Sequence, residues 1–405
     1  MDNNYQNQQN NYYQNIYNMF GGNNPVIDKE ASEIRRLGTN AGTACLGFII
    51  LQYAFILSLR VSGLAKLYTS NVIFEYGLGL LGQVLYIFVP FFILYLASSQ
   101  EEKNAIMKFD KPNSKTLYVF AVCIGLGACL FSNVFSNILL GLFSFAGVDF
   151  MSGMEDSPVA DGPLGYLITI LSVAVISPLL EEFAFRGVLL QPLRKYGDKF
   201  AIVTSSLIFG VMHGNMVQAP AAFAVGMLMA YFCIKTNSIW TSVTIHILNN
   251  LLSCILSFFY EKNPDASDVI PTIIMGAFVA IGAAAIPFYF KADKTKLSKG
   301  SSSIEHKQKR CIFLCVPTVL LSIIHCIYMT ITLQNTTSFF GKLVLSALLI
   351  VFAVFVSKGV KSVQNDKRIT PSKVYGFSKV MVIVATVFNI ILLLASSLQT
   401  NITVN

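Results

Sequence analysis

The sequence predicts an all-α, polytopic membrane protein, a transmembrane helix bundle of about eleven spans. Three observations predict it. Only 12% of the 405 residues are charged and 54% are hydrophobic, with a mean hydropathy of +0.61; a soluble domain carries about 25% charged residues. Apolar runs of about 20 residues recur along the chain, each long enough to cross a hydrocarbon core of roughly 30 Å. Lys and Arg collect in the connections between those runs, where they set topology. The net charge of +8 is therefore an orientation signal that implies a lipid bilayer as partner and no nucleic acid.

In chain order, the first 24 residues are rich in Asn, Gln and Tyr and hold no apolar stretch, so neither a signal peptide nor a core is expected there. Residues 1–40 are read as a polar, disordered cytoplasmic tail. The apolar runs lie at about 41–59, 72–97, 117–146, 165–190, 199–217, 218–234, 238–259, 268–290, 311–332, 338–357 and 377–398. They divide into N-terminal transmembrane helices (41–164), a central region (165–260) and a C-terminal transmembrane extension (261–405). The fifth and sixth runs are short, and Gly214, Asn215 and Pro220 predict a kinked or re-entrant junction between them.

Charge in the connections alternates. The 98–116 connection carries Lys103, Lys108, Lys111 and Lys115, whereas 147–164 carries Asp149, Glu155, Asp156 and Asp161 and no Lys or Arg. The 291–310 connection is strongly basic. The positive-inside rule then puts the N-terminus in the cytoplasm of a multi-pass cell-membrane protein and, with eleven spans, the C-terminus outside. Arg60 and Lys66 are the main exceptions. Eight cysteines all lie in or beside apolar runs, without zinc-finger spacing, and read as small buried hydrophobes.

Within this apolar chain, Glu181, Glu182 and Arg186 fall inside one run. Each ionisable group at bilayer depth costs roughly 2.5–3.5 kcal/mol on insertion scales. Such groups are kept where they pair, line a wet cavity or do chemistry. Glu182 and Arg186 are i,i+4 neighbours on a helix and can neutralise each other. Glu181 is rotated by about 100°, so it points to a different neighbour and is left free, as suits a general base or acid. The alternative is an ion-pair cluster that only fixes helix packing.

Two further runs carry His213 (in Phe209-Gly-Val-Met-His213) and His246, which shares a helix face with Asn250 and is preceded by no other histidine in its run. A lone histidine on an apolar helix is more often a packing residue, but an imidazole beside the amides of Asn249 and Asn250 is costly unless something specific is bound. Counted from the inner ends at about 1.5 Å per residue, Glu181, His246 and His213 lie about 15, 12 and 20 Å deep. A carboxylate, two histidines and an asparagine in one cavity suffice for hydrolysis: deprotonation of water, its positioning, and donors for the oxyanion. Glu181, His213 and His246 could equally bind zinc with water in an open position. The H-E-x-x-H motif of soluble zinc proteases is absent.

The three motifs, Glu181-Glu182-x-x-x-Arg186, Phe209-x-x-x-His213 and His246-x-x-x-Asn250, together resemble the CAAX-processing and bacteriocin-processing (CPBP, or Abi) intramembrane proteases, which include the type II CAAX prenyl endopeptidases. The resemblance covers about residues 165–255. It implies a helix bundle enclosing the site and cleavage of a peptide or protein substrate. It further implies that Glu181 activates water with help from His213, that His246 and Asn250 form the oxyanion hole, and that Glu182 and Arg186 support them, in a metal-assisted or metal-free mechanism. Two other classes compete: a non-catalytic immunity or scaffold protein of the same family, and a transporter using the buried Glu and His. No internal repeat supports the transporter.

Overall fold

The computed structural model describes residues 25–106, 110–145, 162–214, 218–262, 269–332 and 358, and every element among them is helical. The first helix, α1, runs Pro25–Val61. It therefore begins well before residue 41, and residues 25–40 are not the disordered tail their polarity suggested. The reason is arrangement rather than composition. Ile27, Ala31 and Ile34 recur at i, i+4 and i+7 and are all buried, giving the polar stretch one apolar stripe.

Six more helices are long and apolar enough to span a bilayer: α2 (Ile73–Ala97), α3 (Lys115–Phe145), α4 (Gly162–Tyr196), α6 (Ala219–Thr236), α7 (Ile239–Lys262) and α8 (Val269–Ala292). Between α4 and α6 lies α5 (Asp198–Met212). After α8 come α9 (His306–Leu314) and α10 (Pro317–Thr332). The bundle expectation holds, but the count of eleven is not reached. Seven described helices qualify, or eight if α9 and α10, bent by 77° at their junction, are one span. At 15 residues, α5 is about 22 Å long, short of the hydrocarbon thickness. The runs at 338–357 and 377–398 lie outside the described residues.

The α5–α6 pair is a tight hairpin. A Cβ on Gly210 would sit 2.7 Å from the carbonyl oxygen of Ala219 and 3.1 Å from the Cβ of Phe223, so only glycine lets the two backbones approach this closely. At the expected break, α5 ends at Met212 with His213 as its C-cap, Gly214 takes a positive φ of 73° and Pro220 lies in the first turn of α6, while Asn215 lies outside the described residues.

The basic connection after α8 is folded against the bundle. Lys235 at the end of α6 pairs with Asp293 at 2.7 Å, both side chains buried, and donates to the Thr295 carbonyl and hydroxyl at 2.6 and 2.9 Å. Asp198 exchanges backbone and side-chain hydrogen bonds with Ser298, at 3.0 and 2.8 Å. The buried Lys309 of α9 donates to the Tyr196 carbonyl at 2.5 Å. Ser302 bonds Glu30 of α1. The 293–309 segment thus straps the adjoining ends of α1, α4, α5 and α6 together. All eight cysteines are free thiols, as their apolar settings suggested.

Candidate active site

The backbone of α4 is unusual where it carries the carboxylates. Wide π-type turns occupy Ile170–Ile176 and Phe183–Leu189, flanking a short regular stretch, Ser177–Glu182. Each π turn rotates the residues around it and leaves main-chain groups mispaired, a feature concentrated at functional sites. Within the second of them, the Arg186 carbonyl accepts from the Gln191 side-chain amide at 3.1 Å.

The Glu182–Arg186 pair forms as its spacing predicts. Arg186 Nη1 lies 2.9 Å from Glu182 Oε1, and both side chains are excluded from solvent. The guanidinium also stacks over the Phe209 ring at 4.3 Å and contacts Met229 Sδ at 3.7 Å. Such a charge is tolerated only because ion pair, ring face and sulfur share it.

Glu181 does not point away from this pair as helix rotation alone suggested. Both carboxylates straddle one imidazole. His246 Nδ1 is 3.0 Å from Glu182 Oε1, and His246 Nε2 is 4.0 Å from Glu181 Oε2. A carboxylate only accepts, so the Nδ1 proton of His246 is donated to Glu182, which fixes the ring and turns Nε2 toward Glu181. Ser177 donates to the other Glu181 oxygen at 2.8 Å. On α7, Asn249 donates to Asn250 Oδ1 at 3.1 Å, and Asn250 donates to the Val173 carbonyl at 2.9 Å. That carbonyl lies within the first π turn of α4. The side-chain oxygen of Asn249, Oδ1, is buried with no hydrogen-bond partner among the described residues.

His213, at the tip of α5, bonds the Phe209 carbonyl through Nδ1 at 2.9 Å. Its ring meets Phe209 edge-on with centroids 4.8 Å apart, and His246 meets the same ring at 6.2 Å. Phe209 is thus the wedge between the two histidines, a role the Phe-x-x-x-His spacing encodes by setting the two rings one turn apart.

A cavity of about 480 Å³ opens here, lined among others by His213, His246, Asn249, Asn250, Phe209 and Met229. Glu181 is not one of its walls; it reaches the cavity through His246. The opposite wall is α3, with Ser132, Asn133, Ser136 and Asn137. Sequence reasoning overlooked these four. Their signal was present: polar residues at i, i+1, i+4 and i+5 make one stripe on an otherwise apolar span.

Zinc was tested against this geometry. A zinc ion bonded to both His246 Nε2 and Glu181 Oε2 at roughly 2.0–2.2 Å, across their 4.0 Å separation, would subtend about 150° rather than the tetrahedral angle. No three His, Cys, Asp or Glu side chains converge on a metal position among the described residues. As arranged, the donors do not make a zinc site.

The arrangement is a bundle of apolar helices long enough to cross a membrane that brings carboxylates, imidazoles and amides together beside one cavity. Comparison with known proteins agrees: residues 163–252 match the family model for type II CAAX prenyl endopeptidase Rce1-like proteins. The chain is 28% identical over 115 residues to YdiL of Bacillus subtilis (strain 168), named as a candidate membrane peptidase, covering 28% of this chain and 47% of that protein. It is 32% identical over 106 residues to the membrane-embedded CAAX protease MroQ of Staphylococcus aureus (strain USA300), covering 24% of this chain and 42% of that protein. The chain spans less than half the length of these relatives. No solved structure matches it. The chain is thus a multi-pass membrane protein whose residues 163–252 are similar to the Rce1-like type II CAAX prenyl endopeptidases.

Proposed function

We propose that this protein is an intramembrane endopeptidase in which Glu181 activates water for attack on a peptide bond of a membrane-associated or secreted protein. The observation that carries the reading is the single imidazole of His246 held between two carboxylates at the edge of a cavity lined by His213 and Asn250. The 4.0 Å gap between His246 Nε2 and Glu181 Oε2 is too wide for a direct hydrogen bond and suits a bridging water, which at about 2.8 Å from each would subtend about 90°.

In this reading Glu181 takes the water proton as the oxygen attacks the scissile carbonyl, then delivers that proton to the departing amine. The buried Glu182 carboxylate orients His246 and balances charge on its ring, while Arg186 compensates Glu182. The oxyanion is met by donors on the cavity wall. Asn250 spends one amide hydrogen on Val173 and has the second for substrate, and His213 supplies the imidazole opposite. No step requires a metal. The N-terminus is assigned to the cytoplasm from the basic connections.

The test is comparative proteomics of wild-type cells against a Glu181→Ala strain. The expected outcome is an uncleaved membrane or secreted precursor with normal insertion of the variant. An unchanged proteome with a retained phenotype would sink the catalytic reading in favour of a non-catalytic immunity or scaffold role.

A further inference from the structure

We propose that the stripe Ser132, Asn133, Ser136 and Asn137 on α3 binds the main chain of the substrate as an extended strand, so that recognition is directed at peptide backbone rather than at a side-chain motif. The inference rests on the peptidase reading above and adds a binding wall to it. The stripe lies outside the family-matched region at 163–252, yet it faces His213, His246 and Asn250 across one cavity.

The first argument is chemical. A peptide bond is open to attack only when its segment is unwound, and in a bilayer an unwound segment strips its N–H and C=O groups of partners. The cavity must replace them with groups that both donate and accept. A carboxamide does both, and a hydroxyl does so as well. Neither the Asn133 nor the Asn137 amide is engaged by a hydrogen bond among the described residues, and both are exposed on the cavity side of α3. Two polar amides on a membrane span without partners are costly; a ligand with matched donors and acceptors removes that cost. The side-chain oxygen Oδ1 of Asn249, another residue of the cavity lining, is buried with no hydrogen-bond partner among the described residues.

The second argument is metric. Residues i and i+4 on a helix are separated by about 6.0 Å along its axis. In an extended strand, backbone groups pointing the same way recur every two residues, about 6.7 Å. Asn133 and Asn137 therefore match successive same-facing peptide units of a strand lying along α3. Ser132 and Ser136 repeat the match one position round the helix. The other wall offers Ala221, Ala222 and Val225, small side chains that leave room for the strand's own side chains and impose little selection on them.

The experiment uses the full chain in lipid nanodiscs, carrying Glu181→Gln so that peptide is bound and not consumed. The probe is a fluorescent 20-residue apolar peptide rich in Val, Ile and Gly, which favours the extended form. A second copy is N-methylated at alternate backbone nitrogens on one edge. Anisotropy gives the Kd. With two hydrogen bonds at stake, Asn133→Leu/Asn137→Leu is expected to weaken binding about tenfold, and N-methylation of the matching edge to weaken it similarly. The two losses should not add, because they remove the same bonds. The methylated probe needs no mutation, so a misfolded variant does not spare the proposal. Equal Kd values for both probes on the Glu181→Gln protein, fully additive losses, or no binding of the unmodified probe would each overturn it. Cleavage of the unmodified probe by the chain with native Glu181, followed by mass spectrometry, reports separately on the peptidase reading.

Discussion

Among the described residues, the Lys235–Asp293 and Glu182–Arg186 pairs are both withdrawn from solvent, and they are finished differently. Lys235–Asp293 is closed: the ammonium has the Asp293 carboxylate, the Thr295 carbonyl and the Thr295 hydroxyl, and Asp293 also accepts from the Thr295 hydroxyl and amide. Glu182–Arg186 is open. Its carboxylate shares one oxygen with His246 and leaves Oε2 buried without a hydrogen-bond partner among the described residues. Burial alone therefore does not mark a functional charge. Saturated valence suits a clasp, and residual valence beside a cavity suits the chemistry proposed above.

Substitutions can break or sharpen that contrast. The largest effect is expected from Glu181→Ala, which should lower proteolysis by at least about 100-fold while leaving the thermal midpoint near wild type; the pair of measurements is activity on an identified precursor and a melt in detergent. Arg186→Met should strand the buried Glu182 charge and cost about 3–5 kcal/mol, seen as a lowered melting temperature together with lost activity. Lys235→Met should cost less, about 1–3 kcal/mol, loosening the 293–305 segment to proteolysis while activity persists under mild conditions. If Arg186→Met and Lys235→Met prove equivalent in both readouts, the distinction between open and closed pairs fails. Smaller still is a pH effect at the closed pair. Burial pushes the Asp293 carboxyl up, but hydrogen bonds from Lys235 and Thr295 outweigh it and hold the group below its ordinary value of 3.8. A depressed carboxyl stabilises above its unfolded value and loses that contribution as pH falls through the folded one. Hydrogen exchange of the 293–298 amides should therefore accelerate only below about pH 4, and Asp293→Asn should abolish that step. EDTA should leave activity of the purified protein unchanged; loss restored by zinc would show that Glu181 and His246 rearrange around a metal.

The same contrast shows what the sequence reveals. Helical class, the Glu182–Arg186 pair and the Phe209–His213 relation were legible because each is set by 3.6-residue geometry within one helix. The sharing of His246 by both carboxylates was not, since it depends on how α7 packs against the regular stretch Ser177–Glu182, which two π turns flank, and no residue type announces a π turn. The early start of α1 was hidden because polarity was averaged over residues 1–40, whereas folding uses the stripe Ile27, Ala31 and Ile34. The folding of the basic connection onto Asp198 and Tyr196 was hidden because topology rules count its cations without regard to the backbone amides and hydroxyls between them.

One consequence follows from the shortness of α5. His213 stands at the tip of a hairpin arm about 22 Å long, not midway along a complete crossing. Its depth is measured from one face of the bilayer only. Longer lipid tails push the opposite face away without moving His213 relative to the near face, and shorter tails bring bulk water closer to the hairpin tip from the far side. Acyl-chain length would then act as a dial on hydration of the cavity, and under the proposed function would tie turnover to the membrane's own composition.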